Sequence, residues 1–103
     1  MSVLSDLSTQ LEEATDEYAK RVDEAAEATN EADRVELTEF ARLRHEKEPI
    51  ESAKLLARHK ALNERGLANI AAAREKAQHR FVRSLETRMT AAMSHQRMIR
   101  EQT

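Results

Sequence analysis

A single glycine and a single proline interrupt this chain, and their scarcity constrains its fold more than any other feature. Gly66 and Pro49 are the only residues of these types among 103. Hairpins, barrels and phosphate-binding loops need such residues at their tight turns. Ala, Glu, Arg, Leu, Lys and Gln, which all favour helices, recur throughout instead. The sequence therefore predicts an all-α protein built from long helices.

Apolar residues of the N-terminal half recur at alternating steps of three and four. This spacing is typical of the a and d positions of a coiled coil, and only Arg21 interrupts it. The members are Leu4, Leu7, Leu11, Ala14, Tyr18, Ala25, Ala28, Ala32 and Val35. After Val35 the spacing shifts by a residue or two, and the stripe continues through Leu37, Phe40 and Leu43. This half is therefore predicted to form one amphipathic helix.

Pro49, close to the middle of the chain, predicts a reversal of direction. Proline disfavours helical geometry at the preceding residue and is well tolerated in the first turn of a helix. We therefore place a helix over about residues 4–46, a turn over about 45–49 and a second helix over about 50–101. Asn30 could cap a restart, which leaves a division into three helices open. Gly66 is a candidate kink or close-packing point, at ~1 kcal/mol relative to alanine.

The second helix carries its own apolar stripe, which we expect to pair with the first. Its members are Ala53, Leu56, Leu62 or Asn63, Leu67, Ile70, Ala73, Ala77, Phe81, Leu85, Met89, Ala92 and Ile99. Antiparallel pairing about Pro49 matches large residues with large and small with small. The expected pairs include Leu43 with Leu56, Leu37 with Leu62, Ala32 with Leu67, Ala28 with Ala71 and Tyr18 with Phe81. The prediction is a single unit, a long antiparallel helical hairpin with coiled-coil-like packing.

Opposite charges on the two halves favour the same pairing. Residues 1–51 carry 15 acidic and 6 basic groups, whereas residues 52–103 carry 4 acidic and 11 basic groups. Folding the second half of the chain against the first would neutralise most of the net charge of each half, although exposed ion pairs contribute only ~0–1 kcal/mol each. An alanine-rich hairpin also buries little apolar area. We therefore expect assembly into a dimeric helical bundle, or a protein partner that covers the stripe.

The sequence lacks the residue patterns that catalysis or cofactor binding would require. It contains no cysteine, so thiolate nucleophiles and disulfides are excluded. None of its four histidines forms the His-x-x-x-His pair of a helical zinc site. Ser94 and His95 are adjacent, so on a helix they point about 100° apart. We predict a protein that is not an enzyme and that has no catalytic residue, metal or cofactor.

A membrane location is also not expected. No stretch approaches the ~18 consecutive apolar residues of a membrane span. The first residues have neither the basic nor the apolar region of a secretory signal. We therefore expect a cytoplasmic protein that does not bind membranes.

A basic face on the second helix offers an alternative binding surface. Its members, which fall largely opposite the stripe, are Lys76, Arg80, Arg83, Arg97 and Arg100. Arginine favours bidentate phosphate contacts, so this face could bind a nucleic-acid backbone. Three glutamates interrupt it, and no aromatic residue lies on it to stack bases. Two functions remain open: an accessory protein that binds a partner protein, and one that binds nucleic acid.

The segments Phe81–Met89 and His95–Glu101 resemble the closing region of small all-helical accessory proteins of double-stranded DNA bacteriophages. Those proteins are often encoded near replication or recombination genes. They share the order of an Ala/Glu-rich first helix, a polar middle and a closing helix rich in Ser, Gln and Arg. The resemblance implies a non-enzymatic accessory role in the host cytoplasm. It brings no functional residues.

Overall fold

Three helices make up the part of the chain that the structure describes, and two of them run side by side over most of its length. The computed structural model describes residues 2–102. Helix α1 spans Val3–His45, α2 spans Ile50–Lys60 and α3 spans Leu62–Gln102. The molecule measures 81 × 20 × 14 Å and has a radius of gyration of 22.8 Å, whereas a compact domain of this length has about 13 Å. The all-α prediction is confirmed, and the shape is a thin rod.

Helices α1 and α3 pack antiparallel to each other. Near the start of α3, Arg65 forms an ion pair at 3.0 Å with Asp33, which lies in the last third of α1. Further along α3, the Nε2 atom of Gln78 donates a hydrogen bond of 2.9 Å to the carbonyl of Ala14, close to the start of α1. Residue numbers therefore rise along one helix as they fall along the other. This order confirms the predicted long antiparallel hairpin.

The turn between α1 and α2 has the geometry of a Schellman motif. Lys47 has a φ of 68°, in the left-handed region. Its N–H donates to the carbonyl of Arg44, and the N–H of Glu48 donates to the carbonyl of Leu43, both at 3.0 Å. Glycine usually occupies the position that Lys47 takes here, because it has no Cβ to clash in this conformation. Pro49 follows and directly precedes α2, so the chain reverses where this proline predicts.

The second half of the chain, and not the first, is divided into two helices. Helix α1 runs through Asn30 without a break. The division lies at Ala61, which has φ −91° and ψ 4°. Buried residues step by four up to this point, at Ala53, Ala57 and Ala61. Beyond it, buried and partly buried residues together step by three and four. A change of helical phase at Ala61 therefore keeps the alanine face against α1.

Gly66 lies inside α3 and is not a point of close packing. A Cβ placed on this residue would meet no atom within 4 Å. The prediction of a close-packing point at Gly66 is therefore wrong. The glycine faces open space, so nothing in the hairpin requires the absence of a side chain there.

The core between the helices is narrow and rich in alanine. Seven of the eleven buried apolar residues within residues 2–102 are alanines. The eleven are Leu7, Ala14, Ala25, Ala32, Leu43, Ala53, Ala57, Ala61, Ala68, Val82 and Leu85. The α1 members follow the predicted stripe, and Leu4, Leu11, Tyr18 and Ala28 are partly buried beside them. The stripe predicted for the first helix is thus confirmed, with Leu37 as its exception.

The stripe predicted for the second helix is displaced by about one residue from the one that faces α1. Ala57, Ala68 and Val82 are buried, and their neighbours Leu56, Leu67 and Phe81 are not. Among the predicted stripe residues, those that lie outside the core are Leu37, Leu56, Leu62, Leu67, Ile70, Ala73, Ala77, Phe81 and Ile99. Those buried or partly buried are Ala53, Leu85, Met89 and Ala92. Small side chains let two helices approach closely, so the alanines, and not the larger residues beside them, fill the contact.

Candidate interaction surfaces

One face of α3 carries large apolar side chains that the hairpin leaves in solvent. Leu67, Ile70 and Phe81 are 55%, 53% and 48% exposed. Their spacing places them on one side of the helix, together with Arg74 and Ala77. We call these five residues the outer stripe. It runs along α3 beside the buried alanine face and has no partner within the hairpin.

The acidic edge of α1 borders the outer stripe. Phe81 shares a shallow groove with Gln10, Glu13 and Glu17 of α1. Glu17 also forms an ion pair at 3.0 Å with Arg21. A partner that covers the outer stripe would therefore meet apolar and basic side chains from α3 and carboxylates from α1.

The hairpin exposes more large apolar side chains than it buries. Four of its buried residues are larger than alanine, whereas thirteen large apolar residues within residues 2–102 are exposed. Single exposed leucines are ordinary, but apolar residues that line one face are typical of an interaction site. The outer stripe is therefore the strongest candidate surface for a protein partner.

A second, smaller apolar surface lies near the turn. Leu37, which was predicted to lie in the core, is 65% exposed there. It helps to line a groove of about 210 Å³ together with Glu36, Phe40, Lys54, Ala57 and Arg58. Pockets that enclose small molecules usually measure ~300–1,000 Å³. The groove is therefore small for a substrate or cofactor.

The five residues of the predicted basic face are all exposed on α3. They are Lys76, Arg80, Arg83, Arg97 and Arg100. Of the cations in α3, Arg65 is the one that forms ion pairs with α1 within residues 2–102. Lys76, Arg80, Arg83 and Arg97 have no carboxylate of this part of the chain within 4.0 Å. Direct pairing between the helices therefore leaves most of the basic face available.

Several acidic residues of α1 are paired within their own helix. Arg34 donates hydrogen bonds of 2.9 and 2.5 Å to Glu31, and Arg42 donates bonds of 3.1 and 2.5 Å to Glu39. These hydrogen bonds lower the pKa of Glu31 and of Glu39 and raise the pKa of each arginine. Because these pairs are exposed and lie three residues apart, they support the helix locally.

Arg65 and Gln78, which the sequence pattern did not single out, join α3 to α1. Arg65 contacts Asp33 at 3.0 Å and Glu36 at 3.4 Å, and the hydrogen bond to Asp33 raises its pKa. Gln78 reaches the carbonyl of Ala14. Counting back from Leu85 in steps of three and four passes through Gln78. That spacing is the signal that could have identified the inner face of α3, the side that packs against α1.

The expected pairing of Tyr18 with Phe81 is wrong. Tyr18 instead contacts His79, with ring centroids 5.3 Å apart and ring planes inclined at 42°. His79 lies two positions before Phe81, so on the helix it points to the other side of the contact between α1 and α3. Phe81 is therefore left at the surface, where it becomes part of the outer stripe.

The comparisons with known proteins do not indicate a function for the chain. Comparison with protein-family models, with curated proteins and with solved structures found no match. Within residues 2–102, His, Asp and Glu side chains do not gather in groups of three that could hold a metal ion. None of the helices in this range combines the length and apolarity needed to cross a membrane. The exposed surfaces of α3 are therefore the features from which a function can be proposed.

Proposed function

We propose that this protein is a non-enzymatic helical interaction protein, a coiled-coil-like hairpin that forms a homodimer and binds a partner protein. The observation that carries the proposal is the outer stripe. Alanines hold the two helices together, while Leu67, Ile70 and Phe81 stay exposed on one face of α3. Burying such side chains from water contributes about 25 cal/mol per Å² of apolar area. Association with another protein surface would therefore stabilise this chain by burying that face.

The same proposal includes an accessory role without metal or cofactor. The resemblance of residues 81–101 to bacteriophage accessory proteins supports that role and would place the protein in the cytoplasm of a host cell. The surfaces described above support binding more than catalysis, because the outer stripe is long and open.

Sedimentation equilibrium at low micromolar concentration tests the proposal. The unmodified chain should have the mass of two chains, and Leu67→Glu should have the mass of one, because it places a charge in the outer stripe. Leu37→Glu is the matched control, since it changes an equally exposed leucine near the turn, and it should leave the dimer intact. A stable one-chain mass for the unmodified protein, at every concentration measured, would contradict the proposal.

Nucleic-acid binding is the second candidate function, and the basic face favours it. Four of the five cations there have no carboxylate nearby within residues 2–102. Each phosphate contact would add about −0.9 to the slope of log affinity against log salt on duplex DNA. A labelled oligonucleotide should therefore bind at about 50 mM salt and be released at about 200 mM. Arg83→Ala should lower this slope, whereas Arg44→Ala, in the last turn of α1, should not.

Absence of oligonucleotide binding at the lower salt concentration would eliminate this second function. The protein-partner proposal would then stand alone. Binding that is equally strong in Arg83→Ala would place the nucleic-acid contact elsewhere on the chain and would contradict a role for the basic face.

A further inference from the structure

We infer that the outer stripe is covered by a second copy of this chain, whose α3 packs antiparallel to the first with the twofold axis at Arg74. The inference rests on the dimerisation proposed above and specifies its geometry. A twofold interface uses the same patch on both copies, so each contact between two different residues occurs twice. The outer stripe must therefore be complementary to itself.

The spacing of the outer stripe has this self-complementarity. Leu67 lies seven residues before Arg74 and Phe81 lies seven residues after it. Ile70 lies four residues before it and Ala77 three residues after it. In an antiparallel pair centred on Arg74, Leu67 of each copy meets the partner's Phe81, and Ile70 meets position 78 of the partner, next to the partner's Ala77. Each large side chain thus packs beside another apolar group, as in ridge-and-groove contacts between helices.

The size of the face is sufficient for a stable dimer. The hairpin is 81 Å long and 20 Å wide. A contact over half of that face would cover about 800 Å² on each copy, which is the area per partner of a standard stable interface. The outer stripe extends from Leu67 to Phe81, about 21 Å at ~1.5 Å per residue. It therefore forms the centre of such a contact, with polar residues at its rim.

The charge distribution favours contact between the two α3 helices over contact between the two α1 helices. Of the 19 acidic residues, 15 lie within residues 1–51, so α1 against α1 would oppose two acidic surfaces. Residues 52–103 carry 11 basic and 4 acidic groups, so contact through α3 brings two basic helices together and needs acidic groups beside them. It also brings the acidic edge of each α1, at Glu13 and Glu17, alongside the stripe. These carboxylates offset part of the positive charge of the two α3 helices.

Cysteine cross-linking tests the position of the axis directly. The chain contains no cysteine, so Arg74→Cys introduces a single thiol. At the axis its Cα would lie within the ~4.4–6.8 Å that a disulfide spans from the partner's Cα. Mild oxidation should convert most of this variant to a linked two-chain species. Lys76→Cys is the matched control, because it is exposed on the same helix but lies outside the stripe, and it should stay unlinked.

Both substitutions are at exposed positions, so the helical circular dichroism should match that of the unmodified protein. If the protein has a two-chain mass but Arg74→Cys does not cross-link, the register at Arg74 is wrong and the proposed dimerisation stands. If the protein has a one-chain mass, both proposals fail. Equal cross-linking of the two cysteine variants would indicate random collision and would also overturn the inference.

Discussion

Replacing Leu85 by alanine tests which side of α3 faces α1. Leu85 is 0% exposed and packs with Leu7, Ala14 and Val82. The substitution removes three carbon atoms, which at ~0.8 kcal/mol per buried CH₂ corresponds to about 2.4 kcal/mol. A residual cavity adds to this loss. The hairpin is only two helices thick and can partly close around the vacancy, so we expect a total loss of about 3 kcal/mol in the free energy of unfolding.

Urea denaturation followed by circular dichroism measures this loss, with Leu67→Ala as the matched control. Both variants replace a leucine of α3 by alanine. Leu67 is exposed, so its variant should lose less than about 1 kcal/mol at concentrations where the chain is monomeric. Equal losses for the two variants, or a larger loss for Leu67→Ala under those conditions, would refute the assignment of the inner and outer faces.

Three further predictions concern local features of the hairpin. Gly66→Ala should raise the free energy of unfolding by about 1 kcal/mol in urea titrations, because alanine is the better helix former and has room there. Lys47→Gly should raise it by about 1 kcal/mol by relieving the left-handed conformation, and Lys47→Ala, which keeps a Cβ, should not. Glu31 and Glu39 have lowered pKa values because arginines donate hydrogen bonds to them. They should therefore stabilise the fold above about pH 4.3, with this stabilisation lost as the pH falls through their lowered values. Thermal melts across this range should show Tm falling on acidification, and falling less in Glu31→Gln.

The stripe of α1 could be predicted from the sequence because it has no competitor. Leu7, Ala14, Ala25 and Ala32 lie seven, eleven and seven residues apart, which keeps them on one helix face, and the rest of that helix is largely acidic. Only one face could therefore be buried. The prediction failed at Leu37, where the apolar spacing shifts after Val35; Phe40 and Leu43 remain on the side that faces the other helices, and Leu37 does not.

The second half of the chain carries two apolar stripes side by side, and periodicity cannot choose between them. One contains Ala57, Ala61 and Ala68, and the other contains Leu67 and Phe81. Hydrophobicity favours the larger residues, but close approach of the helices favours alanine. That choice depends on the distance between two helices, which the pattern along one helix does not contain.

The candidate surfaces could likewise be predicted only in part. The basic face was predicted correctly as exposed, because long charged side chains keep their charged groups in water. The contacts of Arg65 and Gln78 were missed, since both residues belong to the inner face that was assigned one position away. The residues of the outer stripe were recognised as apolar but were assigned to the wrong partner, the first helix of their own chain.

A distance between two copies tests the role of the outer stripe most directly. A spin label on Thr90→Cys lies sixteen residues after Arg74. In an antiparallel pair centred on Arg74, the two labels lie about 48 Å apart along the helices, from a rise of ~1.5 Å per residue. Dipolar spectroscopy on the singly labelled protein should therefore give one distance near 50 Å, and Leu67→Glu should abolish it. A distance below about 25 Å, as a parallel pair would give, would contradict the account, as would the absence of coupling at about 100 µM protein.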